Sequence, residues 1–370
     1  MRLRLAVLLT GGVIALAACS PTKAAQLTPV PESTSATSTS TTESSAPPSS
    51  SSAAPSSSTT PPKSATNGPV KPPPNPGTPA PAGAPGWQLT QNNTGLAAQG
   101  LNCDALPAYT GPASPAAGTV ISGKRIEQAL VLFAGNITVE KSCIRPARLN
   151  EAAPLVTTNG PCGSNSCQVT AAPVTIRDSN IDGSKLSAST IAKSCAFLGV
   201  GTLQRNYITG MGSGICFYNT GSNLSGLAEG NYVRGLRTAG DAHNDGATIR
   251  DFPLDRNPGR TLTFRNNRID CSTGQDTGAL FIQTYGGDID NVTVEGNLLE
   301  GGGYQLGLES SHGNQYGRNM KSVNNRFTGS GWGAAYVTAN GVGYKWAVWQ
   351  DNYLLDPNAP DAKGKPAGTP

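Results

Sequence analysis

The stretch 292–309, VTVEGNLLEGGGYQLGLE, decides the fold. Val292 and Val294 alternate with Thr293 and Glu295, as in a short strand with one buried face. Gly296 and Asn297 interrupt the run, and Leu299 follows two places after the asparagine. The same pattern recurs in ITVEKSCI, VTIRDSNI, GTLQRNYI, GLAEGNYV, LTFRNNRI, KSVNNRF and AVWQDNYL. Its anchor residues are Ser142, Ser179, Asn206, Asn231, Asn267, Asn297, Asn325 and Asn352, spaced by 37, 27, 25, 36, 30, 28 and 27 residues. Two places beyond them stand Ile144, Ile181, Ile208, Val233, Ile269, Leu299, Phe327 and Leu354.

A period in the upper twenties without a 3.6-residue apolar rhythm predicts a solenoid of short strands. Leucine-rich repeats have a similar length, but their leucine spacing is absent, and RIEQALVLF at 125–133 is the nearest helical candidate. The expectation is an all-β chain of about eight to ten coils stacked about 4.8 Å apart. At the bend, asparagine tolerates the left-handed conformation, and its amide can bond to its counterpart one coil along.

The chain begins MRLRLAVLLTGGVIALAACS: two arginines, a short apolar run and small residues before Cys19. This reads as a secretory signal over residues 1–19. Leu16-Ala17-Ala18-Cys19 resembles a bacterial lipobox, which implies cleavage before Cys19 and lipidation of its thiol. Residues 20–86 are rich in Ser, Thr, Pro and Ala and nearly free of large apolar side chains, so a disordered, extended stalk is expected. The folded domain is expected over 87–356, with a disordered tail over 357–370. From residue 87 on, 22 basic residues face 21 acidic ones with no basic stripe, which argues against nucleic acid. A monomer is expected, with contact to a membrane through the lipid alone. Eight cysteines in an exported chain, one of them lipidated, allow three disulfides and one free thiol. Cys162 with Cys167 is the best local pair; Cys195 with Cys216 and Cys103 with Cys143 are open alternatives. No metal motif accompanies them, and no cofactor is expected: calcium has no recognisable site.

The coil motif over about 100–356, most clearly VTIRDSNIDG, LTFRNNRID and the opening stretch, resembles the right-handed parallel β-helix superfamily of pectate lyases, polygalacturonases and alginate lyases and epimerases. That resemblance implies a right-handed β-helix that handles an extended polysaccharide along one sheet. DAHND at 241–245 is similar to the Asp-Pro-His-Asp signature of mannuronan epimerases, without its proline and with one residue more. SSHGNQYGR is similar to the His-Gly element of polygalacturonases at His312 and Gly313, but no Asp-Asp pair occurs in the chain.

Superposing ATIRDF, ALFIQT and LGLES on Ile249, Ile282 and Leu308 as inward residues places Arg250, Gln283 and Glu309 outward in one column. The coil between Asn231 and Asn267 is longer than its neighbours by about nine residues, and loops on a solenoid often wall a cleft. Asp241, His243 and Asp245 are therefore candidate acid–base residues beside Arg250, which suits a uronate carboxylate or developing negative charge. A polar turn capped by Asp245 accounts for the same residues. Gln283, Tyr285, Glu309 and His312 are candidate glycan contacts. Tyr285, Tyr304, Tyr316, Trp332, Tyr336 and Trp346 cluster late in the chain, and most are expected inside. The expected activity is lyase or epimerase chemistry on a uronate-containing glycan; the alternative is a glycan-binding or adhesion module. The first requires convergent histidine, carboxylate and arginine, the second a flat face rich in rings and amides.

Overall fold

A computed structural model describes residues 77–162, 167–218, 224–250, 252, 259–272, 276–285, 287–311, 313–314, 316, 319–329, 331–338 and 346–370. The expected signal, Cys19 and most of the Ser/Thr/Pro-rich segment lie outside them, as does His312.

The domain is a parallel β-helix. A representative coil runs through Leu262–Arg265, Arg268–Cys271 and Asp276–Gln283, and the chain returns to the first position at Val292–Glu295. Stacking of such coils builds three sheets of nine, ten and eight strands, here called first, second and third, and every pairing between coils is parallel. RIEQALVLF, the nearest helical candidate, contains the strands Arg125–Ile126 and Leu130–Val131.

Alternation explains the interior. Leu262 and Phe264 point in and are fully buried, while Thr263 and Arg265 point out. Seven of the eight residues two places beyond the anchors are sealed inside, from Ile144 to Phe327. The eighth, Leu354, is 41% exposed because no further full coil stacks on its inner face.

The bend between the first and second sheets holds the anchor ladder. Asn206, Asn231, Asn267, Asn297 and Asn325 each donate from Nδ2 to Oδ1 of the next rung at 2.9–3.0 Å. The same Nδ2 also donates to a backbone carbonyl of the preceding coil, as Asn267 does to Ala228 at 2.8 Å. One expectation is corrected. The left-handed residue is the one before the anchor, at Lys141, Asp178, Arg205, Gly230, Asn266, Gly296, Asn324 and Asp351, with φ between 46° and 67°. This turn aims the anchor's side chain inward along the ladder and leaves the anchor itself with ordinary φ.

Both ends of the domain differ from the expected boundaries. Residues before Trp87 already lie on the coils: Gly86 N donates to Gly296 O at 2.8 Å, and Asn266 Nδ2 to Gly83 O at 3.3 Å. Gly86 has to be glycine here, because a Cβ would strike Asn267 O and Leu298 N. From there the segment runs back along the solenoid: Arg268 Nη1 reaches Leu89 O at 3.0 Å, and Leu96 N reaches Asn180 Oδ1 at 2.9 Å. It is tied to an early coil by the Cys103–Cys143 disulfide. The tail expected to be disordered beyond 356 instead forms the strand Lys363–Pro366, antiparallel to Tyr353–Leu355, which covers the last edge of the second sheet. Arg326 joins the two ends. Fully buried, its guanidinium lies 4.1 Å from the Trp87 ring centre and bonds to Asp361 O at 3.0 Å.

The disulfides are Cys103–Cys143, Cys162–Cys167 and Cys195–Cys216, and Cys271 is a buried free thiol.

Candidate functional site

Charges on the outer face of the first sheet satisfy one another. Arg177 bonds Glu140 at 2.6 Å, Arg265 lies between Glu229 and Glu295, and Gln204 donates to Glu229 at 2.9 Å. The hydrogen bonds from Arg177 hold the Glu140 carboxyl below its usual range. Such a self-neutralised face offers little to a charged ligand.

The third sheet is different. Its strand Asn244–Ile249 pairs with Asp276–Gln283, which pairs with Tyr304–Glu309, which pairs with Gly333–Thr338. Ile249, Ile282 and Leu308 are in register and fully buried, so Arg250, Gln283 and Glu309 follow them in one outward column, as the sequence predicts. Continuing the column backward adds Tyr218, because Phe217 pairs with Ile249. The Arg250 guanidinium lies 5.0 Å from the ring centre of Tyr218 and 5.8 Å from that of Tyr285. No ion pair joins Arg250 to Glu309, consistent with their separation by two coils, roughly 9 to 10 Å. Glu309 is instead held by amide and phenol: Gln283 Nε2 donates to it at 2.5 Å and the Tyr336 hydroxyl at 3.2 Å. Burial, reinforced by the Glu309 carboxylate, pushes the Tyr336 phenol far above its ordinary value and keeps it protonated.

Next to this column lies a patch of rings. Tyr304 packs against Tyr336 at 4.6 Å and Trp332 at 5.6 Å, and Phe281 stacks on Tyr336 at 6.4 Å. Gly307 sits beneath them, where a Cβ would come within 2.5 Å of Tyr336 and 3.0 Å of Phe281. Trp332 is 72% exposed and Tyr285 45%. The expectation that most late aromatics are structural holds for Tyr316, whose hydroxyl bonds Ile282 O at 3.0 Å, and for the buried Trp346. Tyr285 and Trp332 are exposed instead, and Tyr304 and Tyr336 are half-buried on the outer face. Tyr218, Tyr304, Trp332 and Tyr336 were missed as site residues; extending the outward columns by one coil in each direction finds Tyr218 and approaches the others.

The structure does not assemble the proposed His–Asp–Arg edge. His243 is exposed in the turn before Asn244–Ile249, whereas Arg250 follows that strand. Seven residues of nearly extended chain put them about 23 Å apart. Asp241 is fully exposed and pairs with Lys193 at 2.9 Å, and that hydrogen bond holds its carboxyl below the usual range. Asp245 belongs to the sheet rather than the turn. It is 6% exposed, and its backbone N–H donates to Ser213 Oγ at 3.3 Å. Among the described residues no group of three or more His, Cys, Asp or Glu side chains is placed to hold a metal.

Compared with known protein families, with curated proteins and with solved structures, the chain matches none.

Proposed function

We propose that the protein is an extracytoplasmic, lipid-anchored glycan-binding protein that holds an extended, uronate-containing polysaccharide along the outer face of the third sheet. The observation that carries this reading is the band of planar side chains across successive coils, from Tyr218, Arg250 and Tyr285 to Tyr304, Trp332 and Tyr336. Rings with one wet edge suit the apolar faces of pyranoses, and the Gln283–Glu309 pair supplies a fixed row of polar groups between them. Arg250, held between two phenol rings, presents a fork that matches a sugar carboxylate. The coil rise of about 4.8 Å is close to the advance of one pyranose along an extended chain. Three disulfides agree with an oxidising compartment, and the coil motif resembles those of polysaccharide-active β-helix proteins.

A second reading is lyase or epimerase chemistry at the same face without His243. What favours it is a protonated phenol, Tyr336, bonded to the carboxylate of Glu309 and sharing the face with the buried Asp245. In that reading Glu309 or Asp245 removes the proton and Tyr336 supplies one. The test incubates the full chain with a panel of neutral and uronate-containing polysaccharides. It reads binding, ultraviolet-absorbing unsaturated ends, reducing ends and sugar composition. Binding to a uronate polymer without chemical change supports the first reading, and unsaturated ends or altered composition move the assignment to the second. Failure to bind any member of the panel overturns both.

A further inference from the structure

Charge is distributed unevenly along the outer face of the third sheet. Its coils run in register from Asn244–Ile249 through Asp276–Gln283 and Tyr304–Glu309 to Gly333–Thr338. Among the described residues of these strands and of the Arg250–Gln283–Glu309 column, Arg250 is the only cation. It stands on the first of the four coils, between the rings of Tyr218 and Tyr285. Glu309 follows two coils on, roughly 9 to 10 Å along the sheet. The groups that hold it, Gln283 Nε2 and the Tyr336 hydroxyl, are uncharged, so the hydrogen bonds fix its position without cancelling its charge. A second carboxylate, Asp245, is 6% exposed and lies in the column that runs through Gly278 to Tyr304. Burial first, and then the charges of Glu309 and Asp245, raise the Tyr336 phenol, so the ring at the centre of the patch lies in a negative field. The first sheet differs, since there arginines neutralise the outward carboxylates.

This asymmetry selects among acidic glycans. An ionised carboxyl offers roughly four lone-pair sites and no donor, so the places on Glu309 left by Gln283 and Tyr336 accept sugar hydroxyls and repel a sugar carboxylate. An extended chain advances about one pyranose per coil, so the sugar over Glu309 is two residues along from the sugar over Arg250. We infer that the glycan this face prefers carries an isolated uronate, paired with Arg250, and a neutral sugar two residues along that gives its hydroxyls to Glu309 and its apolar face to Tyr336 and Trp332. A polymer made only of uronates, and a strict alternation of uronate and neutral sugar, both bring a second carboxylate to Glu309 and bind less tightly. The inference rests on the glycan-binding reading of this face and narrows its ligand.

The test is calorimetry on the full chain with tetrasaccharides, long enough to span the four coils, in two backbones, β-1,4-linked glucose and α-1,4-linked galactose. Each backbone is used neutral, oxidised to the carboxylate at C6 of one terminal unit or of the other, and oxidised at all four units. In at least one backbone, a singly oxidised chain is expected to bind about tenfold or more tightly than both the neutral and the fully oxidised chain. Which terminal unit serves gives the direction in which the glycan lies. Glu309→Gln keeps an oxygen to accept from Gln283 and Tyr336, so it is expected to melt with the wild type and to bring the fully oxidised chain to within about threefold of the singly oxidised one. Arg250→Ala is expected to reduce the singly oxidised chain to the affinity of the neutral one. Wild-type binding of the fully oxidised chain as tight as that of the singly oxidised chains, or a preference that Glu309→Gln leaves unchanged, overturns the inference and leaves the glycan-binding reading standing. Binding by none of the chains overturns that reading and the inference with it.

Discussion

Replacing Asn267 by alanine removes one rung of the ladder, and the cost can be worked from its bonds. Its Nδ2 donates to Ala228 O at 2.8 Å and to Asn297 Oδ1 at 3.0 Å, while its Oδ1 accepts from the backbone N–H of Asn231 at 3.0 Å and from Asn231 Nδ2 at 2.9 Å. After truncation, Asn297 Oδ1 keeps the backbone N–H of Asn267 at 2.9 Å, and Asn231 Nδ2 keeps Leu203 O at 2.8 Å. Ala228 O and Asn231 N lose these ladder partners in a site with no access to water. At about 1 to 3 kcal/mol for each of the two buried groups left unpaired, the loss should be about 2 to 6 kcal/mol. Asn267→Ser should fall between alanine and wild type. The native serine rung at Ser179 accepts from Ser142 N at 3.0 Å but turns its own proton to Arg177 O at 2.7 Å, within its own coil. Thr263→Ala, on the outward face of the neighbouring strand, should stay within about 0.5 kcal/mol of wild type. The assay is guanidinium denaturation of the full chain, with hydrogen exchange at the Asn231 amide as a local readout, because a solenoid can open coil by coil. Asn267→Ala within about 1 kcal/mol of Thr263→Ala, with Asn231 exchange unchanged, would refute the argument.

Truncating Arg326 to alanine should cost about 3 kcal/mol through the carbonyls of Asn325, Asp351 and Asp361 left unpaired, and should expose both terminal segments to limited proteolysis. Replacing Cys103 and Cys143 by serine should lower stability by about 4 kcal/mol, the loop-closure contribution of a cross-link spanning 40 residues, read by urea denaturation. Tyr316 and Tyr336 have pKa values raised by burial, so the folded state holds their protons more tightly than the unfolded chain. Their stabilising contribution is full below the unfolded value of about 10 and is lost as pH rises beyond it, so melting temperature should drop above about pH 10, and less steeply in Tyr316→Phe.

The repeat is legible because the ladder demands a hydrogen-bonding residue at one place in every coil and an apolar residue two places on, and both demands survive variation elsewhere. The left-handed position is not legible in the same way. It is filled by Lys, Asp, Arg, Gly and Asn in turn, since a single residue can adopt that conformation at small cost. At the candidate site, the Arg250–Gln283–Glu309 column followed from superposing inward residues. Tyr304 did not, because alternation breaks along the third sheet. Ala279 and Leu280 are consecutive and both belong to the core, so counting back from Leu308 and Leu306 sends Tyr304 inward, whereas its ring lies outside against Tyr336 and Trp332. His243 and Arg250 looked like neighbours because they are close in sequence, but an extended strand turns closeness in sequence into distance in space.

The central claim is that the ringed face of the third sheet binds an acidic glycan. Its most direct test is a calorimetric titration of the full chain with a polyuronate and with the same polymer reduced to its neutral form. The polyuronate should bind the wild type, the neutral polymer at least tenfold more weakly, and both Arg250→Ala and Trp332→Ala should lose affinity while His243→Ala does not. Equal binding of acidic and neutral polymers, or loss of affinity in His243→Ala alone, would contradict it.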